Sequence, residues 1–248
     1  MKATLLAGAA FSLLSVSAFA ADLGAPLVKA PVSTPFTWTS CYAGGQVGGG
    51  WGQKDLTDSA GFLAGLGPPG GPSAANLDTS GYMLGGQIGC DYQFAPAWVL
   101  GIEGAAAGGK IGGSTVVAVP GDNATFKETT DFLSSATARV GYAWDRWLLY
   151  VDGGAAWAGD RYSVFDVAQA YDAEGLETRL GWTVGAGIEW ALWNDWSVKL
   201  EYDYYGFGHR NVTFIDNVGG TFGPVDVKQD IQVVKLGVNF HVFADSDR

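Results

Sequence analysis

Charge is scarce in this chain, and long apolar runs are scarcer. Only 16% of the 248 residues are Asp, Glu, Lys or Arg. A disordered chain would be rich in charge and poor in aromatics, and aromatics here reach 13%, so disorder is excluded for most of the length. Beyond the first 20 residues there is no run of about 18 apolar residues, which excludes a membrane-crossing helix. Histidine is limited to His209 and His241, and cysteine to Cys41 and Cys90, too few donors for a Cys/His metal cluster. No basic face is visible and the net charge is −11, so nucleic-acid binding is not expected. The acidity reads as solubility of exposed loops. The 38 glycines do not recur at every third position, which excludes collagen. Yet hydrophobic residues make up 48% of the chain. A sequence that is apolar on average, but never for long, is one in which apolar and polar residues alternate.

The start of the chain carries an export signal. Lys2 supplies a positive end, Ala3 to Val16 form a short apolar stretch, and Ala18-Phe19-Ala20 place small residues where signal peptidase reads them. Residues 1–20 are therefore expected to be a signal peptide. Residues 21–37, with Pro26, Pro31 and Pro35, read as an extended periplasmic tether. A β-barrel is expected over 38–243 and a polar C-terminal tail over 244–248.

Eight segments alternate with the period of a β-strand: Cys41–Trp51, Gly81–Phe94, Trp98–Gly108, Phe132–Trp144, Trp147–Trp157, Thr178–Trp190, Trp196–Tyr205 and Gln232–Val242. In the seventh, Trp196, Val198, Leu200, Tyr202 and Tyr204 oppose Ser197, Lys199, Glu201 and Asp203. The connections alternate between short (Ala95-Pro96-Ala97, Asp145-Arg146, Ala191–Asp195) and about twenty residues or more (Gly52–Ser80, Gly109–Asp131, Ala158–Glu177, Gly206–Gln229). Short periplasmic turns and long outer loops give an all-β fold: an eight-stranded antiparallel transmembrane β-barrel with up-and-down meander order. Ser114–Val119, Ser163–Val167 and Val212–Ile215 look strand-like and are expected to lengthen hairpins above the membrane, ten membrane strands being the alternative.

Tryptophan marks both ends of the segments. Trp98, Trp144, Trp147, Trp190, Trp193 and Trp196 gather at the short turns, and Trp51, Tyr82, Trp157 and Trp182 at the opposite ends, as aromatic belts at two lipid–water boundaries would. The charged residues fall on the polar face: Asp91, Glu103, Arg139, Asp152, Arg179, Glu189, Lys199, Glu201, Asp203 and Lys235. A Lys or Arg facing lipid at mid-depth costs roughly 2–4 kcal/mol, so these residues are expected inside, as a polar core of ion pairs. Glu103 with Arg139, and Lys199, Glu201 and Asp203 with Arg179 or Lys235, are the expected pairs. Inward glycines could leave water pockets among them. Cys41 and Cys90 share the outward face of neighbouring strands near the periplasmic end, either as a cross-strand disulfide or as two lipid-facing thiols. His209 falls in a loop and His241 points inward, so a Ser/His hydrolase site at the lipid face is not expected, and nothing calls for a cofactor or a metal. The glycines of Gly181–Gly187 lie within an alternating segment with no helix behind them, and are not a phosphate loop.

These residues carry a family resemblance. Phe36-Thr37-Trp38-Thr39-Ser40-Cys41-Tyr42-Ala43-Gly44-Gly45, Gly85-Gly86-Gln87-Ile88-Gly89, Val99-Leu100-Gly101-Ile102-Glu103, Arg139-Val140-Gly141-Tyr142-Ala143-Trp144-Asp145 and Val238-Asn239-Phe240 together resemble the small outer-membrane β-barrel proteins of alphaproteobacteria, the immunogenic "porin family" related to the OmpA membrane domain and the opacity proteins. The resemblance spans essentially the whole mature chain. There are two departures from it. Val242 stands where the family often ends on an aromatic residue, with Phe243 to Arg248 running on, which implies an internal signal for the barrel-assembly machinery. Cys41 and Cys90 occupy positions that are commonly aromatic in the family.

The resemblance implies a bacterial cell outer-membrane surface protein that stabilises the envelope and presents loops as antigens. The alternatives are a narrow small-solute porin and a loop-mediated adhesin or haem binder. Expected partners are outer-membrane lipid and lipopolysaccharide, the barrel-assembly machinery, and host or environmental surfaces reached through the loops. A folded eight-strand barrel should migrate differently in gel electrophoresis before and after boiling in detergent; identical migration would refute the barrel.

Overall fold

The strands are long, and they close on themselves. The computed structural model describes residues 36–58, 74–119, 122–166, 171–215 and 221–242. The expected signal peptide, most of the tether and the C-terminal tail lie outside these residues. Eight strands follow in chain order: β1 (Ser40–Asp58), β2 (Ala74–Gln93), β3 (Trp98–Val119), β4 (Asp122–Trp144), β5 (Trp147–Asp166), β6 (Tyr171–Ala191), β7 (Trp196–Ile215) and β8 (Thr221–Val242). Each pairs antiparallel with its neighbour, and β1 pairs with β8, giving a closed barrel in simple meander order. Closure satisfies the backbone N–H and C=O groups within the wall, as hydrocarbon requires.

Period-two alternation decides what faces where. Outward residues at mid-height include Leu84, Ile88, Ile102, Val151, Leu200, Leu236 and Val238, all exposed. The matching inward residues Gln87, Glu103, Asp152, Glu201, Lys235 and Asn239 are buried. The aromatic residues gather at two heights on the outside. Trp147 stacks on Trp190 at 5.3 Å and Trp98 meets Tyr142 edge-on at 5.7 Å near the periplasmic turns. Trp182 packs on Tyr204 at 5.4 Å near the other end. Trp147 and Trp157 lie ten residues apart on β5. That is about 33 Å of strand, and a tilt near 40° turns it into a band about 25 Å tall, the height of a barrel's apolar girdle.

The strands run 19 to 23 residues, so roughly half of each stands beyond that band. Much of what reads as long loops is therefore strand. The segments Ser114–Val119 and Val212–Ile215 fall in β3 and β7, and His209 sits in β7 rather than in a loop. Among the described residues, register irregularities occur only in these outer parts: between Gly108 and Ile111, between Thr130 and Phe132, and around Gly206–Gly208 and Val212–Phe214. The β6–β7 ladder ends at the Trp182–Gly206 pair, whereas β5–β6 continues to Tyr171 and β7–β8 to Ile215. The β2–β3 ladder likewise ends at the Ser80–Gly112 pair, so above the outer belt the wall parts into two four-stranded arms, β7–β8–β1–β2 and β3–β4–β5–β6.

The periplasmic end is closed by the chain entering the barrel. Trp38 is buried and meets Phe36 edge-on at 5.2 Å, and the Arg146 guanidinium lies 5.4 Å over the Phe36 ring. The Trp38 amide donates to Gln93 Oε1 at 2.9 Å, and the Gln93 amide donates to Thr39 Oγ1 at 3.0 Å. Phe36, within the segment expected to be tether, therefore packs under the barrel. Nearby on the outer face, Cys41 stands directly opposite Cys90 and the two form a disulfide. Replacing both by Ser should lower unfolding stability in detergent by roughly 2–4 kcal/mol, measured by urea titration, through the freedom returned to the unfolded chain.

Candidate functional site: the layered interior

Among the described residues, chemistry is concentrated in the interior, which is built in layers. Nearest the periplasm lies an apolar layer of Trp38, Val99, Ala143, Leu148, Tyr150 and Ala191. Above it lies a charged layer centred on Arg139. Its Nε donates to Asp91 Oδ1 at 2.8 Å and its Nη2 to Asp91 Oδ2, a two-pronged pair that suits the planar guanidinium. Its Nη1 reaches Glu189 at 3.3 Å and Glu103 at 3.6 Å. The guanidinium also lies between two aromatic rings, 4.8 Å from the centroid of Tyr42 and 5.0 Å from that of Tyr150.

Those tyrosines extend the network. Tyr42 Oη donates to Glu103 at 2.7 Å and Tyr150 Oη to Glu201 at 2.5 Å. Lys199 Nζ bridges Glu103 at 2.7 Å and Glu201 at 3.0 Å, and Lys235 Nζ bridges Glu201 and Asp203, both at 2.5 Å. On the β8 side, Glu189 accepts from Ser197 at 2.5 Å and from Asn239 at 2.8 Å, and Gln87 donates to Asn239 at 2.7 Å. His241 lies between Ser40 Oγ at 2.9 Å and Ser197 Oγ at 2.7 Å. This order of hydroxyl, imidazole and carboxylate is that of a hydrolase, but all four side chains are buried and the Trp38 ring stands 6.1 Å from the imidazole.

A third layer is apolar: Met83, Ile111, Leu133, Ala156, Ala158, Tyr205, Phe207, Ile231 and Val233. Above it a second charged group joins Lys54, Asp160 and Arg179, with Lys54–Asp160 at 3.6 Å and Arg179–Asp160 at 3.3 Å. Thr130 Oγ1 donates to Asp160 at 2.6 Å, and the Gln229 amide, oriented by its neighbours, accepts from Lys54 at 3.3 Å and donates to Asp160 at 2.8 Å.

The sequence expectations fare unevenly here. Glu103, Arg139, Asp152, Arg179, Glu189, Lys199, Glu201, Asp203 and Lys235 are all inward and buried. The expected pairing of Arg179 with Lys199's neighbours is corrected: Arg179 stands a layer higher, on Asp160. Arg139 makes its closest pair with Asp91 and only its longest with Glu103. The interior is not polar throughout, because an apolar layer divides it. Some inward glycines are covered by tyrosine rings, while Gly48 borders a cavity of about 20 Å³. Tyr42 is opposite Gly89 and Tyr150 opposite Gly187, and a Cβ added at either glycine would lie within 2.3 Å or 2.4 Å of the ring or hydroxyl. Lys54 and Asp160 were missed as site residues because they fall in stretches read as loops. Their signal is the two-residue spacing from Gly52 and from Ala158, which continues the inward face of each strand.

These observations place the chain in a known family. The family model of the outer membrane protein beta-barrel domain matches residues 6–241. The chain belongs to this family. It is similar to the 31 kDa outer-membrane immunogenic protein of Brucella melitensis, 30% identical over 253 residues that cover 97% of this chain and 99% of the relative. It is also similar to the 25 kDa outer-membrane immunogenic protein of Brucella abortus, 28% identical over 244 residues that cover 97% and 98%. Among solved structures, the outer membrane protease OmpT of Escherichia coli aligns with a TM-score of 0.53 at 9% identity, covering 85% of this chain and 99% of that one. The outer membrane protein OprG of Pseudomonas aeruginosa aligns at 0.52 and 16% identity, with the same coverages. At such identities the likeness is one of fold. The protein is an outer-membrane β-barrel.

Arg139 is the test of the charged layer. Arg139→Met removes one cation from three carboxylates and should cost about 3–5 kcal/mol of unfolding stability, because it leaves buried charge uncompensated. Arg139→Met combined with Asp91→Leu should recover part of that loss in a double-mutant cycle. Additive losses would mean that the pair is not coupled.

Proposed function

We propose that this protein is a structural and antigen-presenting component of the outer membrane: a rigid plug of lipid-facing strands that carries two tall four-stranded arms on the outside. The observation that carries the reading is the closed interior. Among the described residues, two apolar layers and two charged layers alternate through the lumen. A cavity lined by Met83, Leu133, Ser135, Tyr205, Val233 and Lys235 measures only about 20 Å³, room for about one water. An eight-strand barrel is just wide enough for its side chains to fill. The names of the Brucella relatives support the antigenic part, since both are called immunogenic.

The same filling argues against a small-solute porin. It also argues against hydrolysis at the Ser40, His241, Ser197 and Glu189 cluster, which a substrate could reach only by displacing Trp38. The barrel-assembly machinery is the partner expected to insert the chain, and lipopolysaccharide the lipid that surrounds its outer belt. Adhesion or haem binding would fall to the tips of the hairpins, which lie outside the described residues.

Planar-bilayer recording is the direct test. Purified protein should give no reproducible conductance step, and a steady single-channel current that follows protein concentration would overturn the reading.

A further inference from the structure

The inner charged layer does not balance. It contains Asp91, Glu103, Asp152, Glu189, Glu201 and Asp203, all buried. Arg139, Lys199 and Lys235 face them, and His241 can add at most one positive charge. At least two negative charges remain over, between apolar layers above and below. An uncompensated charge taken out of water is among the costliest things a fold can hold.

The deficit has an address. Asp91, Glu103 and Glu189 surround Arg139, with Lys199 and His241 beside them. Glu201 and Asp203 share Lys235, and Glu201 also touches Lys199. Asp152 is only 9% exposed, yet its carboxylate touches none of these cations, and its Oδ1 is buried without a hydrogen-bond partner. The register explains where that oxygen points. Gly185 on β6 lies opposite Asp152 of β5 on one side and opposite Asp203 of β7 on the other. A Cβ added at Gly185 would lie 2.2 Å from Asp203 Oδ1, 2.6 Å from Asp152 Oδ1 and 2.9 Å from the Tyr202 carbonyl oxygen. The two carboxylates lean in over the glycine from both neighbours, and a side chain there would keep them apart. Carboxylate oxygens of Asp152, Glu201 and Asp203 all lie within 4.8 Å of one another.

We propose that this cluster binds a hard divalent cation of the calcium class. Asp152 and the Oδ1 of Asp203 are the oxygens that Lys235 leaves free, and Glu201 stands beside them. Calcium accepts carboxylate, carbonyl and water oxygens in flexible geometry at about 2.3–2.6 Å. Its two charges offset more of the surplus of this layer than a monovalent ion could. The apolar layers block entry to the finished barrel, so the ion is captured as the strands close. The inference rests on the closed interior argued above. A conducting barrel would undo that premise, whereas the experiment below reads the ion itself.

The protein is refolded from denaturant into detergent with either calcium chloride or a chelator, desalted, and analysed for bound calcium and thermal unfolding. The expected result is about one calcium per chain, and a higher unfolding midpoint, only when calcium was present during refolding. Asp152→Asn should fold, bind no calcium and unfold at the same temperature in both preparations. Asp203→Asn should likewise lose the ion. Absence of calcium from the wild-type chain, with Asp152→Asn at least as stable as wild type in chelator, would assign the missing charge to protons and overturn the proposal. Calcium retained at full stoichiometry in both variants would place the ion elsewhere and overturn it equally.

Discussion

Arg139 is the hub on which the interior depends. One guanidinium, held between Tyr42 and Tyr150, reaches carboxylates from three strands: Asp91 of β2, Glu103 of β3 and Glu189 of β6. Lipid outside forbids these charges from turning outward, and the period of two fixes them inside. They must therefore satisfy one another across the lumen. A planar cation with five donors does this where a lysine could not. The ions are a requirement of the site more than a source of net stability, since burying them is costly even when they are well paired.

Much of this was legible in the sequence, and the reason is physical. Within the lipid band each strand has two very different sides, so Trp196 to Tyr204 and Val234 to Val242 alternate without error. Beyond the band both sides meet water or protein and the alternation fades, which is why Lys54 and Asp160 read as loop residues although both are buried. The inner apolar layer was invisible for a related reason. Met83 sits on the face expected to be polar, Ile111 in a stretch read as loop and Ile231 just ahead of the last alternating segment, and a pattern averaged along one strand cannot reveal that they meet across the barrel. Ion-pair partners were hardest to read, because they follow side-chain reach across the lumen and not adjacency in the sheet. Arg139 therefore binds Asp91, two strands away, more closely than its neighbour Glu103.

The periplasmic end combines two fastenings of different kinds. Trp38 and Phe36 close the lumen by apolar packing, while Cys41 and Cys90 tie β1 to β2 from outside. Tyr42, next along from Cys41, carries the tie inward to Arg139 and Glu103. The seam between first and last strand is held from within as well, where Ser40 of β1 meets His241 of β8.

The parting of β6 from β7 above Trp182 and Gly206, and of β2 from β3 above Ser80 and Gly112, has a consequence for how such a protein can change. Each arm beyond those points is anchored through its own root, and among the described residues no ladder joins it to the other across the gaps. Insertions, deletions or wholesale rewriting of one arm leave the ladder of its neighbour intact. The outer surface is thereby divided into units that can drift separately, while the sealed cylinder beneath stays under the strict constraints of charge and volume.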